Sequence, residues 1–160
     1  MIVDAGKRKA VVTQLGDTQI LIEREFDAPA RLVFKAWTTP ELVKRWWHAN
    51  RGTATMAEID LRVGGKWRWV LVANRGFEVA FHGEYREIVP NERLVFTEIY
   101  EAVPGAGAVN TLTLTEENGR TKLRLLVEHA NKANRDMHVN SGMEGGLQDA
   151  LDLLEQVASS

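Results

Sequence analysis

Tryptophan is the residue type with the most obvious potential for chemistry in this sequence. Four of the five tryptophans lie close together as Trp46-Trp47 and Trp67-Arg68-Trp69. Residues two apart on a β-strand point to the same face, so Trp67 and Trp69 would present one aromatic surface. We expect core packing to account for at least half of these indoles. The functional alternative is an aromatic wall for a planar or lipid-like ligand, with indole N–H groups as orienting donors.

The histidines and carboxylates form no recognisable catalytic or metal-binding pattern. The four histidines are His48, His82, His129 and His138. No two of them have the one-turn helical spacing of a zinc protease, so we interpret them as surface or hydrogen-bonded side chains. Asp60 and Arg62 share one face of a predicted strand, and we interpret them as a structural ion pair.

Nucleophilic and nucleotide chemistry are also without support. The sequence contains no cysteine, and Ser141 is not part of a Gly-x-Ser-x-Gly elbow. The glycine clusters lack the pattern of a phosphate-binding loop. We therefore predict no metal and no cofactor, and the sequence identifies no catalytic residue.

The charge balance narrows the range of partners. The chain has 160 residues, of which 20 are Lys or Arg and 22 are Asp or Glu, so its net charge is −2. Such a balance does not attract nucleic acid or anionic membranes, and we expect neither as a partner. The N-terminal segment lacks the apolar core of a signal peptide, and no apolar run reaches membrane-spanning length. We expect a cytoplasmic protein without membrane insertion, and the sequence leaves a homodimer open.

Strand patterns fill most of the chain and are segregated from the helical ones. Residues 18–26 alternate as a strand, and two short helices follow, the second with Thr39 as cap and Pro40 at its first position. After a loop at 50–54, further strands are predicted at 57–62, 66–73, 77–89, 94–100, 109–115 and 123–129. Asn118-Gly119 is a two-residue hairpin signal. Because the strand patterns and the helical patterns occupy separate parts of the chain, the sequence predicts an α+β fold with an antiparallel sheet. We expect residues 1–16 to be a loosely ordered lead-in, with a short strand at 10–15 as the alternative, and residues 17–158 to form one domain.

The last segment, residues 134–157, is predicted to be one long amphipathic helix that packs across the sheet. Met143, Leu147 and Leu154 belong to an apolar stripe at helical spacing. Three glycines lie near its middle: Gly142, Gly145 and Gly146. An interior glycine costs about 0.5–1 kcal/mol relative to alanine. Two interpretations remain open: close packing against the sheet, or space kept between the helix and the sheet.

Seven ordered motifs resemble those of one protein superfamily. They are REFDAP at 24–29, VFKAWT at 33–38, RWW at 45–47, DLRVGGKW at 60–67, GEY at 83–85, ERLVF at 92–96 and GMEGG at 142–146. This set resembles the SRPBCC superfamily of START-like proteins. More narrowly, it resembles the branch named for the activator of the heat-shock-protein-90 ATPase. The resemblance covers about residues 20–157, and each motif alone is weak.

The resemblance implies a helix-grip fold. In such a fold a curved antiparallel sheet, here of about six to seven strands, wraps around a long C-terminal helix, and two short helices follow the first strand. It also implies a hydrophobic ligand cavity between the sheet and that helix. One position departs from the pattern, since Leu147 stands where tryptophan is usual.

Three functions are compatible with this resemblance. The one we favour is a small-molecule binding protein that holds a hydrophobic ligand, lipid-like or aromatic and polyketide-like, without chemistry of its own. The alternative is a polyketide cyclase/aromatase-like enzyme that uses polar groups of the cavity as acid and base. The weakest is a co-regulator of a chaperone ATPase, which rests on the name of the branch alone.

The candidate cavity residues come from the predicted strands and the last helix. They are Trp47, Trp67, Trp69, Phe81, Tyr85, Phe96, Tyr100, Met143, Gly146 and Leu147. The candidates for polar contacts inside the cavity are Arg24, His82, Tyr85, Tyr100 and Glu128. His82 and Tyr85 lie on opposite faces of one strand, and alternation does not decide which of them faces the cavity.

Overall fold

A single open antiparallel sheet of eight strands forms the framework. The structure is a computed structural model that describes residues 9–159. The strands are β1 (Val11–Leu15), β2 (Gln19–Phe26), β3 (Gly52–Ile59), β4 (Lys66–Ala73), β5 (Glu78–Val89), β6 (Arg93–Tyr100), β7 (Ala108–Glu117) and β8 (Arg120–His129). The helices are α1 (Ala30–Thr38), α2 (Pro40–Trp46), α3 (Lys132–Val139) and α4 (Met143–Ser159). The predicted α+β fold is confirmed.

The order of the strands in the sheet is β1-β2-β8-β7-β6-β5-β4-β3. Strands β3 to β8 form a meander, and β2 pairs with the last strand, β8. The sheet has one strand more than expected. The additional strand is β1, which lies within the segment expected as a lead-in, residues 1–16, and pairs with β2. Residues 1–8 of that segment lie outside the described part of the chain. The two short helices follow β2.

Alternation explains why one face of the sheet is buried. Ile20, Ile22, Arg24 and Phe26 on β2 are almost inaccessible to solvent, and the alternate residues Leu21, Glu23 and Glu25 are more exposed. Pairing places Ile22 opposite Leu125 on β8, so the apolar side chains of the two strands lie on the same face of the sheet. A one-residue slip would turn these side chains to solvent, which fixes the register.

Two turns show how well local sequence predicts strand boundaries. Asn118 and Gly119 have φ values of 55° and 77° and connect β7 directly to β8, so the predicted hairpin is confirmed. The prediction for β3 was wrong at its start, because the strand begins at Gly52 and includes most of the expected loop at 50–54. This segment consists of small and hydroxyl residues, yet it pairs with β4 through a register shift between Ala54 and Met56.

The predicted long C-terminal helix is two helices. Helix α3 ends at Val139, and Gly142 follows with a φ of +83°, a left-handed conformation that glycine adopts without strain. The apolar stripe resumes in α4, where Leu151 and Leu154 are buried. Helix α4 packs against α1 and α2 on the concave side of the sheet. The break between the helices places α3 beside β8.

Gly145 and Gly146 are explained by a side chain rather than by the sheet. A Cβ atom on Gly145 would lie 3.3 Å from Nη2 of Arg51, and one on Gly146 would lie 4.0 Å from its Nε. The guanidinium of Arg51 also binds Asp149 one turn further along α4, at 2.7 Å. The missing side chain of Gly145 therefore leaves room for Arg51 to cross the first turns of the helix, whereas a Cβ atom on Gly146 would make only an ordinary contact.

A buried arginine fixes α4 to the sheet. Arg24 on β2 is 2% exposed, and its Nη1 and Nη2 atoms donate to Asp152 at 2.9 Å and to Glu155 at 3.0 Å. Its guanidinium lies 5.0 Å from the ring centroid of Phe26. Arg24 was predicted as a polar contact in the cavity, but it is committed to α4. The second attachment is Gln148, whose amide exchanges two hydrogen bonds with the backbone of Ala10.

We expect Arg24→Met to destabilise the protein by about 2–4 kcal/mol. Breaking a buried ion pair typically costs about 3–5 kcal/mol, and the partly exposed carboxylates of Asp152 and Glu155 regain some hydration. Urea denaturation followed by far-UV circular dichroism measures the free energy of unfolding. The control is Arg124→Met on β8, whose half-exposed side chain pairs with Glu23 and should contribute less than about 1 kcal/mol. Equal effects of the two substitutions would contradict the anchoring role.

A candidate ligand cavity

A cavity of about 640 Å³ lies between the concave face of the sheet and the helices. Its lining comes from β2, from strands β4 to β8, and from all four helices. Most of the lining side chains are apolar, and many are aromatic. The predicted gap between the sheet and the C-terminal helix therefore exists as a defined space.

Nine of the ten predicted cavity residues line this space. They are Trp47, Trp67, Trp69, Phe81, Phe96, Tyr100, Met143, Gly146 and Leu147. The exception is Tyr85, which is 3% exposed and packs in the hydrophobic core with its ring centroid 6.3 Å from that of Phe96. Burial raises the pKa of the Tyr85 phenol above its ordinary range. Neither His82 nor Tyr85 therefore lines the cavity.

The aromatic wall is assembled by the pairing of three strands. Trp69 on β4 lies opposite Phe81 on β5, which lies opposite Tyr100 on β6. The rings of Phe81 and Tyr100 are stacked, with centroids 5.0 Å apart. Trp47, just after α2, contacts both Trp69 and Phe81 edge-on, at 5.6 and 5.9 Å. These geometries are the preferred ones for aromatic pairs, so the rings hold one another in place.

Trp67 depends on a glycine in the neighbouring strand. Its Nε1–H donates to the carbonyl oxygen of Thr97 at 3.2 Å, and Gly83 lies opposite Trp67 in the register. A Cβ atom at Gly83 would come within 1.8 Å of that oxygen and 2.6 Å of the indole nitrogen. Only glycine leaves room for this hydrogen bond, which fixes the orientation of the Trp67 ring.

Of the five predicted polar contacts, only Tyr100 lines the cavity. His82 points to the outer face, where its Nδ1 lies 2.9 Å from a Glu101 oxygen that Arg68 also binds. Hydrogen bonds from Arg68 and His82 lower the pKa of the Glu101 carboxyl to about 2. Glu128 accepts a hydrogen bond from Gln19 at 3.0 Å and does not line the cavity. The expected Asp60–Arg62 ion pair forms on the surface, at 2.8 Å, but β3 ends at Ile59 and both residues lie in the connection to β4, so the prediction that they share a strand face was wrong.

Apart from Tyr100, the polar side chains that line the cavity were not among the predicted polar contacts. Four of them are Glu98 on β6, Asn110 on β7, His129 at the end of β8 and His138 on α3, and the others are His48, Arg51, Asn134 and Ser141. Asn110 is 3% exposed, and its Nδ2 donates to Oε1 of Glu98 at 3.1 Å. Burial raises the pKa of the Glu98 carboxyl, and the hydrogen bond from Asn110 opposes that shift.

Three buried polar atoms on the cavity wall have no hydrogen-bond partner within residues 9–159. They are Nε1 of Trp69, Oδ1 of Asn110 and Nδ1 of His129. Leaving a buried donor or acceptor unsatisfied costs about 1–3 kcal/mol, and such groups are rare in folded proteins. All three belong to residues that line the same cavity, but the atoms themselves have almost no accessible surface, so a ligand reaches them only when these side chains turn.

Two histidines join α3 to the end of β8. Nε2 of His129 and Nδ1 of His138 are 3.0 Å apart and share a hydrogen bond. Burial lowers the pKa of His138 to about 4, and burial together with the charge of Arg135 lowers the pKa of His129. Both rings are therefore neutral at pH 7.

Within the described chain, no group of three or more His, Asp or Glu side chains could hold a metal ion.

The mouth of the cavity has an apolar rim. Phe77 follows the β4–β5 turn, Tyr100 and Val103 lie at the start of the β6–β7 loop, and Met137 is on α3. Their exposed fractions are 56%, 37%, 36% and 45%. Four of the eight large exposed hydrophobic side chains in residues 9–159 thus lie around this opening. No helix in that part of the chain is long and apolar enough to span a membrane.

A twisted antiparallel sheet that grips a C-terminal helix over an apolar cavity defines a START-like, helix-grip protein. The sequence profile of the family described as "Activator of Hsp90 ATPase homolog 1-like protein" matches residues 27–159. The chain belongs to this family, within the SRPBCC superfamily. The resemblance seen in the sequence motifs is confirmed.

Solved structures show the same fold at low sequence identity. A protein from Rhodobacter sphaeroides is 24% identical, with a TM-score of 0.87 over 94% of this chain and 99% of its own. A protein from Nitrosomonas europaea is 22% identical, with a TM-score of 0.82 over 91% and 97%. An AHSA1-like protein from Aeromonas hydrophila is 23% identical, with a TM-score of 0.70 over 88% and 92%. No curated protein matches the sequence.

The histidine pair predicts a stability that falls in mild acid. Unfolded histidine has a pKa of 6.5, and the folded pKa of His138 is about 4, so between these values the unfolded chain binds more protons. The stability that the neutral pair provides is present above pH 6.5 and is lost as the pH falls towards 4. We expect His138→Gln to make the loss of Tm between pH 7 and pH 5 smaller than in the wild type. His48→Gln, outside the pair, is the control, and an unchanged loss in His138→Gln would contradict the assignment.

Proposed function

We propose that the protein binds one small hydrophobic molecule in the cavity between its sheet and its C-terminal helices. The observation that carries this proposal is the cavity itself, about 640 Å³ with mainly apolar and aromatic walls. Small-molecule sites are typically clefts of about 300–1,000 Å³ with a few polar groups that fix orientation. Both the volume and the sparse polar groups fit that description.

Small residues keep the cavity open where larger side chains would fill it. Ala108 lies between Glu98 and His129 in the register, and Gly146 and Ala150 face the cavity from α4. Protein interiors are otherwise close-packed, so a space of this size lined by small residues is not a by-product of poor packing. The exposed apolar rim gives a hydrophobic ligand an apolar surface to contact as it enters from solvent.

Leu147 provides the sharpest test because it lines the cavity from α4 and is only partly buried. Leu147→Trp should place an indole in the ligand space. We expect it to keep the Tm or raise it, and to weaken the binding of the neutral dye N-phenyl-1-naphthylamine at least tenfold, or about 1.4 kcal/mol. Dye fluorescence and quenching of tryptophan emission measure the affinity.

The matched control is Leu61→Trp, which adds the same side chain at a site that is 42% exposed and not part of the cavity. It should leave dye binding unchanged. A Tm loss in Leu147→Trp equivalent to about 1–3 kcal/mol would indicate overpacking and make Leu147 a core residue. Failure of the wild type to bind any neutral apolar dye at high micromolar concentration would contradict the proposed function.

A second candidate is an enzyme related to polyketide cyclases and aromatases. The observation in its favour is Glu98, a cavity carboxyl whose pKa is raised by burial, as general acids require. This enzyme function ranks second because, within residues 9–159, the side-chain hydrogen-bond partner of Glu98 is the amide of Asn110 and not a second titratable group. Recovery of a bound molecule in chemically altered form would reverse this order. A role in regulating a chaperone ATPase rests on the family name alone and ranks third.

A further inference from the structure

We propose that the cavity selects organic cations, namely apolar and preferably aromatic molecules that carry a protonated amine, and that Glu98 is the group that receives the ammonium. This inference rests on the proposed binding function and names the chemical class of the ligand. It comes from the balance of hydrogen-bond donors, acceptors and charges on the cavity wall.

Glu98, Asn110 and His129 each carry an acceptor without a partner in residues 9–159. Glu98 receives one hydrogen bond, from Asn110, and its second oxygen receives none from residues 9–159. Oδ1 of Asn110 is buried and unpaired. Nδ1 of His129 is also unpaired, and it is an acceptor when Nε2 carries the proton that bonds to His138. An ammonium group brings up to three donors and no acceptor, and the free oxygen of Glu98, a residue that lines the cavity, can accept from it.

The three side chains converge because of the register of the sheet. Ala108 on β7 pairs with Glu98 on one side and with His129 on the other, and Asn110 is the next residue on the same face of β7. Adjacent strands lie about 4.8 Å apart, so the backbones of Glu98 and His129 are roughly 10 Å from each other across Ala108. The methyl group of Ala108 leaves the space between them open to a ligand.

No cation in the described part of the chain pairs with Glu98. Within residues 9–159 it forms no ion pair, and the only arginine or lysine that lines the cavity is Arg51. Arg51 lies at the cavity edge, 52% exposed in its side chain, and is already bound to Asp149 and to the carbonyl of Ala49. A ligand carboxylate would therefore find no free cation and would face another carboxyl group.

Burial raises the pKa of the Glu98 carboxyl, so this carboxyl holds its proton more readily than an exposed one. A positive charge within about 4–6 Å favours the ionised form and reverses that effect. Binding of an amine thus supplies the counter-charge that the cavity lacks. The buried ion pair also receives the N–H of Asn110, which offsets part of the desolvation cost.

Aromatic rings complete a site for a cation. Phe96 and Tyr100 precede and follow Glu98 by two residues on the same face of β6, and both line the cavity. Trp67 contacts Phe96 edge-on, with the ring centroids 5.8 Å apart. Ring faces attract ammonium groups, and most strongly where water is excluded. A neutral alcohol gains neither this attraction nor the ion pair.

The test compares three ligands of matched shape: 2-(1-naphthyl)ethylamine, 2-(1-naphthyl)ethanol and 1-naphthylacetate. Isothermal titration calorimetry near neutral pH, where the amine is protonated, measures their affinities for the full-length protein. We expect the amine to bind at least tenfold more tightly than the alcohol, about 1.4 kcal/mol, and the carboxylate to bind most weakly.

The decisive variant is Glu98→Gln, which keeps the volume of the side chain and an acceptor for Asn110 but removes the charge. We expect it to lower the affinity for the amine at least tenfold more than the affinity for the alcohol. Glu128→Gln on β8, where the carboxyl binds Gln19 outside the cavity, is the matched control and should leave the ratio of the two affinities unchanged.

The outcomes separate this inference from the function on which it rests. An alcohol that binds as tightly as the amine, or an affinity ratio that Glu98→Gln does not change, would overturn selection of cations and leave the binding function standing. Binding of N-phenyl-1-naphthylamine without binding of the amine would do the same. If neither the dye nor any of the three ligands binds, the proposed function itself is wrong.

Discussion

The architecture depends on how α4 is attached to the sheet. Its C-terminal half is fixed, because Leu151 and Leu154 are buried and the guanidinium of Arg24 holds Asp152 and Glu155 against β2. Its N-terminal half carries Gly146 and Leu147, which face the cavity instead of packing on strands β4 to β7. Nearer its start, Gln148 is bonded to Ala10 and Asp149 to Arg51, and the helix covers only part of the curved sheet. The uncovered part becomes the cavity, and the side chains of the strands beneath it become the binding surface.

The sequence predicted the fold because most of its elements carry strong local signals. The alternation in β2 and the Asn118-Gly119 turn fix strand positions without any tertiary information, and the ordered motifs identified the family. The errors arose where tertiary structure overrides local preference. Gly142 looked like an interior helical glycine, but its positive φ ends the helical run and separates α3 from α4. The start of β3 has the composition of a loop and becomes a strand only by pairing with β4.

The apolar part of the site was predictable and the polar part was not. Large aromatic residues on alternating positions predict a shared wall, and Trp69 and Phe81 lie on it. Arg24 and Glu128 were chosen for their residue type, and both are committed to partners elsewhere. A signal for Glu98 did exist: it has the same alternation phase as Leu94 and Phe96, so a carboxyl group stands where the pattern requires a buried side chain. A polar residue at a strand position that the alternation assigns to the buried face is a better indicator of a site than one on the exposed face. The reason is that burying a polar side chain without a function is costly.

The most direct test of the cavity as a ligand site is the NMR signal of the Trp69 indole N–H, which is buried on the cavity wall without an acceptor. The signal is assigned through its loss in Trp69→Phe, and the protein is titrated with N-phenyl-1-naphthylamine. We predict that the Trp69 signal shifts progressively to saturation at one equivalent of dye. The indole of Trp46, whose N–H donates to Ala36 at 2.9 Å, should shift much less. Saturable dye binding with an unmoved Trp69 signal, or with the largest shifts on the outer face of the sheet, would contradict the account.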